Sequence, residues 1–417
     1  MSSIHIATLP NGIRVVHKET NNTKIVHCGF ILDIGSRDET FTNQGIAHFW
    51  EHMAFKGTKK RKVFHILNRL DSKGGELNAF TTKEKISFYA SILDTHFEKA
   101  VELLTDITFD SVFPESQIEK EKNVILEEMA MYKDSPDDAL QDEFDGQIFK
   151  GHSLGFNILG TRQSVNSFKR HDFTNFLSEK FNTEKIVFSS TGNIPFNKVL
   201  RLANKYLSGI PHSTKENYRT KFNGFETAHH VTYKEITQSL CAMGRTTYPL
   251  NSPHRRPFFL LLNILGGPAM NSRLNMSLRE RKGYVYSIDA NYTPFTDTGI
   301  FNIQFGTDTK NLKKSIDVVK RELKVFKEKK LGTKQLHDAK EQLKGQLAIS
   351  EENNAGFMIM MGKSLIDTGK IESLEEVFSQ INKINSSELL ELSNEMFAED
   401  TLSTLIFKPN MSNGHAL

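Results

Sequence analysis

Apolar and polar positions alternate in short runs over the first 35 residues. Residues 4–9, 13–17 and 24–32 are β-branched or apolar and are separated by Pro10-Asn11-Gly12 and Asn21-Asn22, so three strands are expected. The period then lengthens to that of a helix over 45–55, closed by Gly57, and again over 63–72, stopped by Gly74-Gly75. Residues 77–81 and 86–92 read as a hairpin across Lys83-Glu84-Lys85, and Phe97, Val101, Leu104 and Ile107 mark another helix. Pro114 opens a long helix to about Tyr132, which Asp134-Ser135-Pro136 ends. Helical spacing continues beyond it, and 186–191 returns to strand. Residues 208–227 turn polar and turn-rich and are the expected interdomain linker.

Past the linker the order recurs. A strand at 238–245 precedes a helix at 256–265, the break Gly266-Gly267-Pro268, and a helix through Arg279 that ends near Gly283. A hairpin of 284–292 with 299–306 and an amphipathic helix at 311–326 follow. This recurrence at low identity predicts an internal duplication of about 200 residues. The expected fold is α+β, with two homologous halves, 1–212 and 213–417, each a mainly antiparallel sheet covered by helices on one face.

Composition narrows the function classes. A chain of 417 residues suits about two to three domains, and 38% hydrophobic with 25% charged residues excludes a disordered polymer. There is no run of 18 apolar residues, and Met1-Ser2-Ser3-Ile4-His5 lacks the blocks of a secretory signal, so a soluble, cytoplasmic chain without a membrane partner is expected. A net charge of +3 argues against nucleic acid as a partner. Cys28 and Cys241 lie far apart in apolar stretches and are expected to be buried thiols, not a disulfide or a metal site. Gly266-Gly267 is no phosphate loop, because no G-K-[ST] follows. His65, His96, His152, His229 and His230 read as structural.

The candidate chemistry is His48-Phe49-Trp50-Glu51-His52. Residues i and i+4 share a helical face, so both imidazoles can reach one metal ion, with Glu51 beside them as a general base for water. Even with any acidic residue allowed at the fourth place, chance gives the pattern in roughly one such chain in fifteen, and a catalytic zinc takes a third protein ligand from elsewhere. Glu121 and Glu128 lie two turns apart on the long helix and share a face with Val124 and Ile125. Two such glutamates ordinarily mark a solvated helix edge; a carboxylate on an apolar face instead needs a cation.

These residues carry a resemblance. The chain resembles the pitrilysin/insulinase family of inverted-motif zinc peptidases, in the branch of this length that includes mitochondrial and bacterial processing peptidases. The likeness covers residues 45–58 around the motif, Gly74-Gly75 with Asn78-Ala79-Phe80-Thr81, and Gly151-His152 to Leu159-Gly160-Thr161. Glu128 follows His52 by 76 residues, the interval at which that family carries its glutamate ligand. The second half lacks H-x-x-E-H but holds Arg279-Glu280-Arg281-Lys282-Gly283-Tyr284-Val285-Tyr286, similar to the family's R-x-x-x-G-x-x-Y element. Without the motif upstream, that stretch would read as a basic helix end capped by Gly283. Two departures stand out: Glu127 where relatives often carry arginine, and a Gly266-Gly267-Pro268 loop shorter than that of the non-catalytic processing subunit.

The resemblance implies the processing-peptidase, LuxS-like metallohydrolase fold and one zinc per chain held by His48, His52 and Glu128, with Glu121 supporting the site. It implies a zinc metalloendopeptidase with Glu51 as base, and Arg279 and Tyr286 contacting peptide and oxyanion. Asn78, Ala79 and Phe80 would offer a strand edge to an extended peptide substrate. Since one chain holds two half-domains and the family's chamber needs four, a homodimer is expected. The alternatives are a non-catalytic assembly subunit of the same fold, or the active subunit of a heterodimer with a metal-free partner.

Overall fold

A computed structural model describes residues 4–410. The chain forms two compact units interleaved along the sequence. The first comprises residues up to 130, 156–220 and 349–371; the second comprises 131–155, 221–348 and 372 onward. Compactness therefore does not follow the 212/213 division of the chain.

The first unit is built on six strands: β1 (Ile4–Thr8), β2 (Arg14–Glu19), β3 (Ile25–Leu32), β4 (Glu76–Thr81), β5 (Ile86–Leu93) and β6 (Ile186–Gly192). They pair in the order β1-β2-β6-β3-β5-β4, with β2 and β6 parallel and all other pairs antiparallel. Alternation along β3 explains its burial on both faces. Val26, Cys28, Phe30 and Leu32 join the main core with Phe49, Trp50, Phe88 and Phe188. Ile31 faces the other way and, with Val16 and Val187, packs on Phe357, Met358, Met361 and Leu365 of the helix Asn354–Thr368. Helices thus cover both faces of the sheet, where one was expected. The helix lies so close that a Cβ on Gly362 would stand 2.4 Å from Ile31 Cδ1.

The second unit repeats this plan. Strands β7 (His229–Lys234), β8 (Ser239–Thr247), β9 (Val285–Pro294), β10 (Gly299–Thr307) and β11 (Ser403–Pro409) pair in the order β7-β11-β8-β10-β9, and β7 with β11 is the parallel pair. Set β1 aside and the two orders coincide position by position, so the expected duplication is present in the topology. One face packs on Phe258, Leu261, Leu265 and Phe397. On the other, Leu240, Ala242, Ile300, Leu405 and Phe407 meet Leu140, Phe144 and Ile148 of the helix Pro136–Ile148. Each sheet therefore receives one covering helix from a distant stretch of chain.

Most expected elements form within two residues of their predicted ends. The segment through Arg279 differs: Asn275–Glu280 is a π-helix. Residues 208–227 contain no helix or strand, yet they are not a free linker up to Thr220. Arg219 pairs with Asp38 at 2.8 Å and Asp33 at 2.9 Å, and Asn217 donates to the Asp33 carbonyl at 3.1 Å. Both cysteines are buried and free. Among the described residues no helix is long and apolar enough to cross a membrane.

Candidate metal centre

The motif lies on the helix Ile46–Ala54, and its amphipathic pattern decides its orientation. Phe49, Trp50 and Met53 sink into the core, which turns His48, Glu51 and His52 along the opposite side. The helix start is held tightly. Gly45 has φ +89°, and a Cβ there would meet the Leu159 carbonyl oxygen at 2.5 Å, so only glycine fits. The buried Glu39 carboxylate accepts from the Gly45 and Ala47 amides at 2.8 and 2.9 Å, closing the first turn.

Glu128 comes from the neighbouring helix Glu115–Asp134. Its Oε1 lies 3.8 Å from His48 Nε2 and its Oε2 lies 3.5 Å from His52 Nε2. One donor atom from each of the three residues falls within 4.8 Å of the others. Donors at about 2.0–2.1 Å from one tetrahedral zinc would be separated by about 3.3 Å, so this set fits such an ion with little movement. Burial, reinforced by His52, depresses the His48 pKa to about 3 and keeps its ring neutral, as a ligand must be. His48 Nδ1 is buried without a hydrogen-bond partner among the described residues.

Glu121 does what a supporting acid should. It accepts from His52 Nδ1 at 3.0 Å and from Lys56 Nζ at 2.7 Å, which leaves the His52 Nε2 lone pair directed at Glu128. Burial would raise its carboxyl pKa, but the His52 and Lys56 hydrogen bonds outweigh that and hold it below the usual value. Burial raises Glu128. It raises Glu51 as well, where the Thr81 hydroxyl, donating to Oε2 at 2.5 Å, moderates the rise. On the glutamate helix, Glu121 and Ile125 are buried and Glu128 half-buried, whereas Val124, expected on the same face, is exposed. Glu127 points to solvent.

The remaining candidates divide between the units. Asn78, Ala79 and Phe80 lie on β4, which ends the strand order of the first sheet and has no strand on its outer side among the described residues. Arg279 and Tyr286 lie in the second unit, where the guanidinium stands 5.5 Å from the tyrosine ring centroid and Tyr286 is 83% exposed on β9. Gly283, with φ +59°, ends the turn between them as a cap would. Sequence reasoning assigned no role to Thr81, Lys56 or Glu39. Thr81 was within reach, since strand alternation puts it on the same face as Ala79, and Lys56 lies one turn beyond His52.

Residues 14–162 match the family model described as insulinase, peptidase family M16, and residues 167–343 match that of the peptidase M16 inactive domain. A Bacillus subtilis protein described as uncharacterized zinc protease YmxG is 33% identical over 399 residues, covering 96% of this chain and 97% of that one. An uncharacterized zinc protease of Rickettsia bellii is 31% identical, covering 98% and 99%. Among solved structures, a protease from Helicobacter pylori superposes with a TM-score of 0.90 at 21% identity, over 98% of this chain and all of that one, which carries 100% coverage. A structure from Pseudomonas fluorescens, described as a peptidase M16 inactive domain, does so with 0.90 at 17% identity, covering 99% and 100%. These two likenesses show a shared fold.

Proposed function

The chain belongs to the insulinase family of peptidases, M16, and from that premise we propose that it is a zinc-dependent endopeptidase acting on peptides or unfolded polypeptide segments. The observation that carries this reading is the convergence of His48, His52 and Glu128 beside a half-buried Glu51. His48 Nε2, His52 Nε2 and a Glu128 oxygen would hold the ion. When bound there, zinc supplies Lewis acidity towards a peptide carbonyl and towards water.

The chain's own groups do the rest. Glu51 takes a proton from the attacking water and returns it to the leaving amine. Its raised pKa suits both tasks, since it is then a stronger base before attack and a usable acid after it. Thr81 occupies one carboxylate oxygen and leaves the other for the proton. Thr81 also ends β4, so the strand that meets the substrate orients the base. The Thr82 amide donates to the Lys85 carbonyl across the hairpin turn. Antiparallel alternation then leaves the backbone groups of Leu77, Ala79 and Thr81 facing the open edge, free to pair with an extended peptide. Arg279 and Tyr286 are assigned to peptide and oxyanion contact, and two copies of the chain to a closed chamber.

The direct test is Glu51→Gln. It should bind zinc as the unaltered protein does and lose at least about a thousandfold in kcat on an unstructured peptide. Full activity in purified Glu51→Gln would remove Glu51 from the chemistry.

A further inference from the structure

Strand β4 has a second face. Leu77 and Ala79 pack against the main core and Thr81 reaches Glu51, so Asn78 and Phe80 project to the opposite side. There the Phe80 ring stands edge-on to Tyr89 of β5, centroids 6.1 Å apart. Lys363, on the helix Asn354–Thr368, places its Nζ 5.0 Å from the Phe80 ring centroid. The nearby charges are Lys85 and Asp367, and they are committed to each other at 2.7 Å, with Lys85 also held by Asp33 at 3.2 Å. Lys363 makes no ion pair among the described residues. Burial, together with the Lys85 charge, holds its pKa below the ordinary lysine value. It is an ammonium partly withdrawn from water against the face of a ring, and the carboxylate that acts on it, Asp367, is bonded to Lys85, so its charge is under-compensated.

A peptide added to the β4 edge sends its side chains alternately to the two faces. The residue directly opposite Phe80 shares the Phe80 face, at a Cβ separation of about 4.5–5.5 Å. We propose that Phe80 and Lys363 form a subsite for an acidic side chain, so that peptides carrying Asp or Glu opposite Phe80 are preferred over those carrying Lys or Arg. This rests on the strand-addition reading above and adds a substrate class to it. The Phe80 ring supplies apolar cover for the methylene groups of the incoming side chain, and the Lys363 ammonium meets its carboxylate.

The test is a peptide set, identical except for Glu, Gln or Lys scanned through each position around the cleaved bond, incubated with the zinc-loaded protein. One position should show kcat/KM in the order Glu, Gln, Lys, with Glu above Lys by about tenfold, the size of a partly desolvated charge pair. Lys363→Met should bring that ratio to about one, Lys363→Glu should invert it, and Lys363→Arg should keep it. No such position in the unaltered protein, or an intact ratio in Lys363→Met, overturns the subsite and leaves the peptidase reading standing. If none of the peptides is cleaved, the peptidase reading fails, and fluorescence anisotropy of the labelled Glu and Lys peptides on Glu51→Gln protein decides the subsite. Tighter binding of the Glu peptide upholds it, and equal affinities overturn it.

Discussion

Glu51 and Thr81 stand 30 residues apart on different elements, yet one hydrogen bond of 2.5 Å joins them. That bond stabilises the ionised carboxylate against the burial that raises its pKa. Removing the donor therefore has a predictable sign. Thr81→Val should move the acidic limb of the kcat/KM profile to higher pH and lower kcat by about tenfold, because the base loses both orientation and part of its ionised population. A profile superimposable on that of the unaltered protein would show that Thr81 does not set the state of Glu51. The site was unevenly legible at this scale. His48 and His52 could be paired from helical periodicity alone, since i and i+4 must share a face. Glu128 could not: its face on the long helix also suits a solvated edge, and only the resemblance singled it out. Glu39 acts through hydrogen bonds to backbone amides that leave no periodic trace.

Elements hold the site by their ends. The motif helix begins where Gly45 and Gly160 approach too closely for any side chain, and Glu39 receives its first amides. Burial pushes the Glu39 carboxyl up to about 8, against the two amides that favour its charged form. A folded-state pKa above the unfolded value means that this group's contribution is complete below about 4.5 and is lost as pH rises through about 8. Urea unfolding of Glu39→Gln beside the unaltered protein should therefore show the latter losing about 2–4 kcal/mol relative to the variant between pH 5 and 9. Parallel pH dependences would mean that Glu39 stays ionised throughout. Elements with clean local signals, such as the hairpin of β4 and β5, were readable. Strand β7 was hidden because four of its six residues are exposed and the other two only half-buried, so it lacks an apolar run. The turn through Arg279 carries helical spacing but closes with π-type bonds, which periodicity does not distinguish.

The duplication is clearest over the whole molecule, in two strand orders that coincide with their parallel pairs in register. Repetition of element types along the chain anticipated it. The covering helices on the second faces were not anticipated, because a helix such as Asn354–Thr368 finds its apolar partners, Ile31 and Val187, more than 150 residues away, as the 169-residue separation of the Ser189–Met358 bond shows. Local pattern carries no address over that distance. If two copies of this plan per chain leave a chamber half built, light scattering of the zinc-loaded protein should give a mass of two chains; a fully active species of one chain would contradict the proposed dimer. Whether His48, His52 and Glu128 hold one ion is read most directly from the zinc content of the purified protein beside that of Glu128→Ala, by mass spectrometry after dialysis against metal-free buffer. The first should hold about one zinc per chain and the second almost none; an equal content in both would remove Glu128 from the metal site.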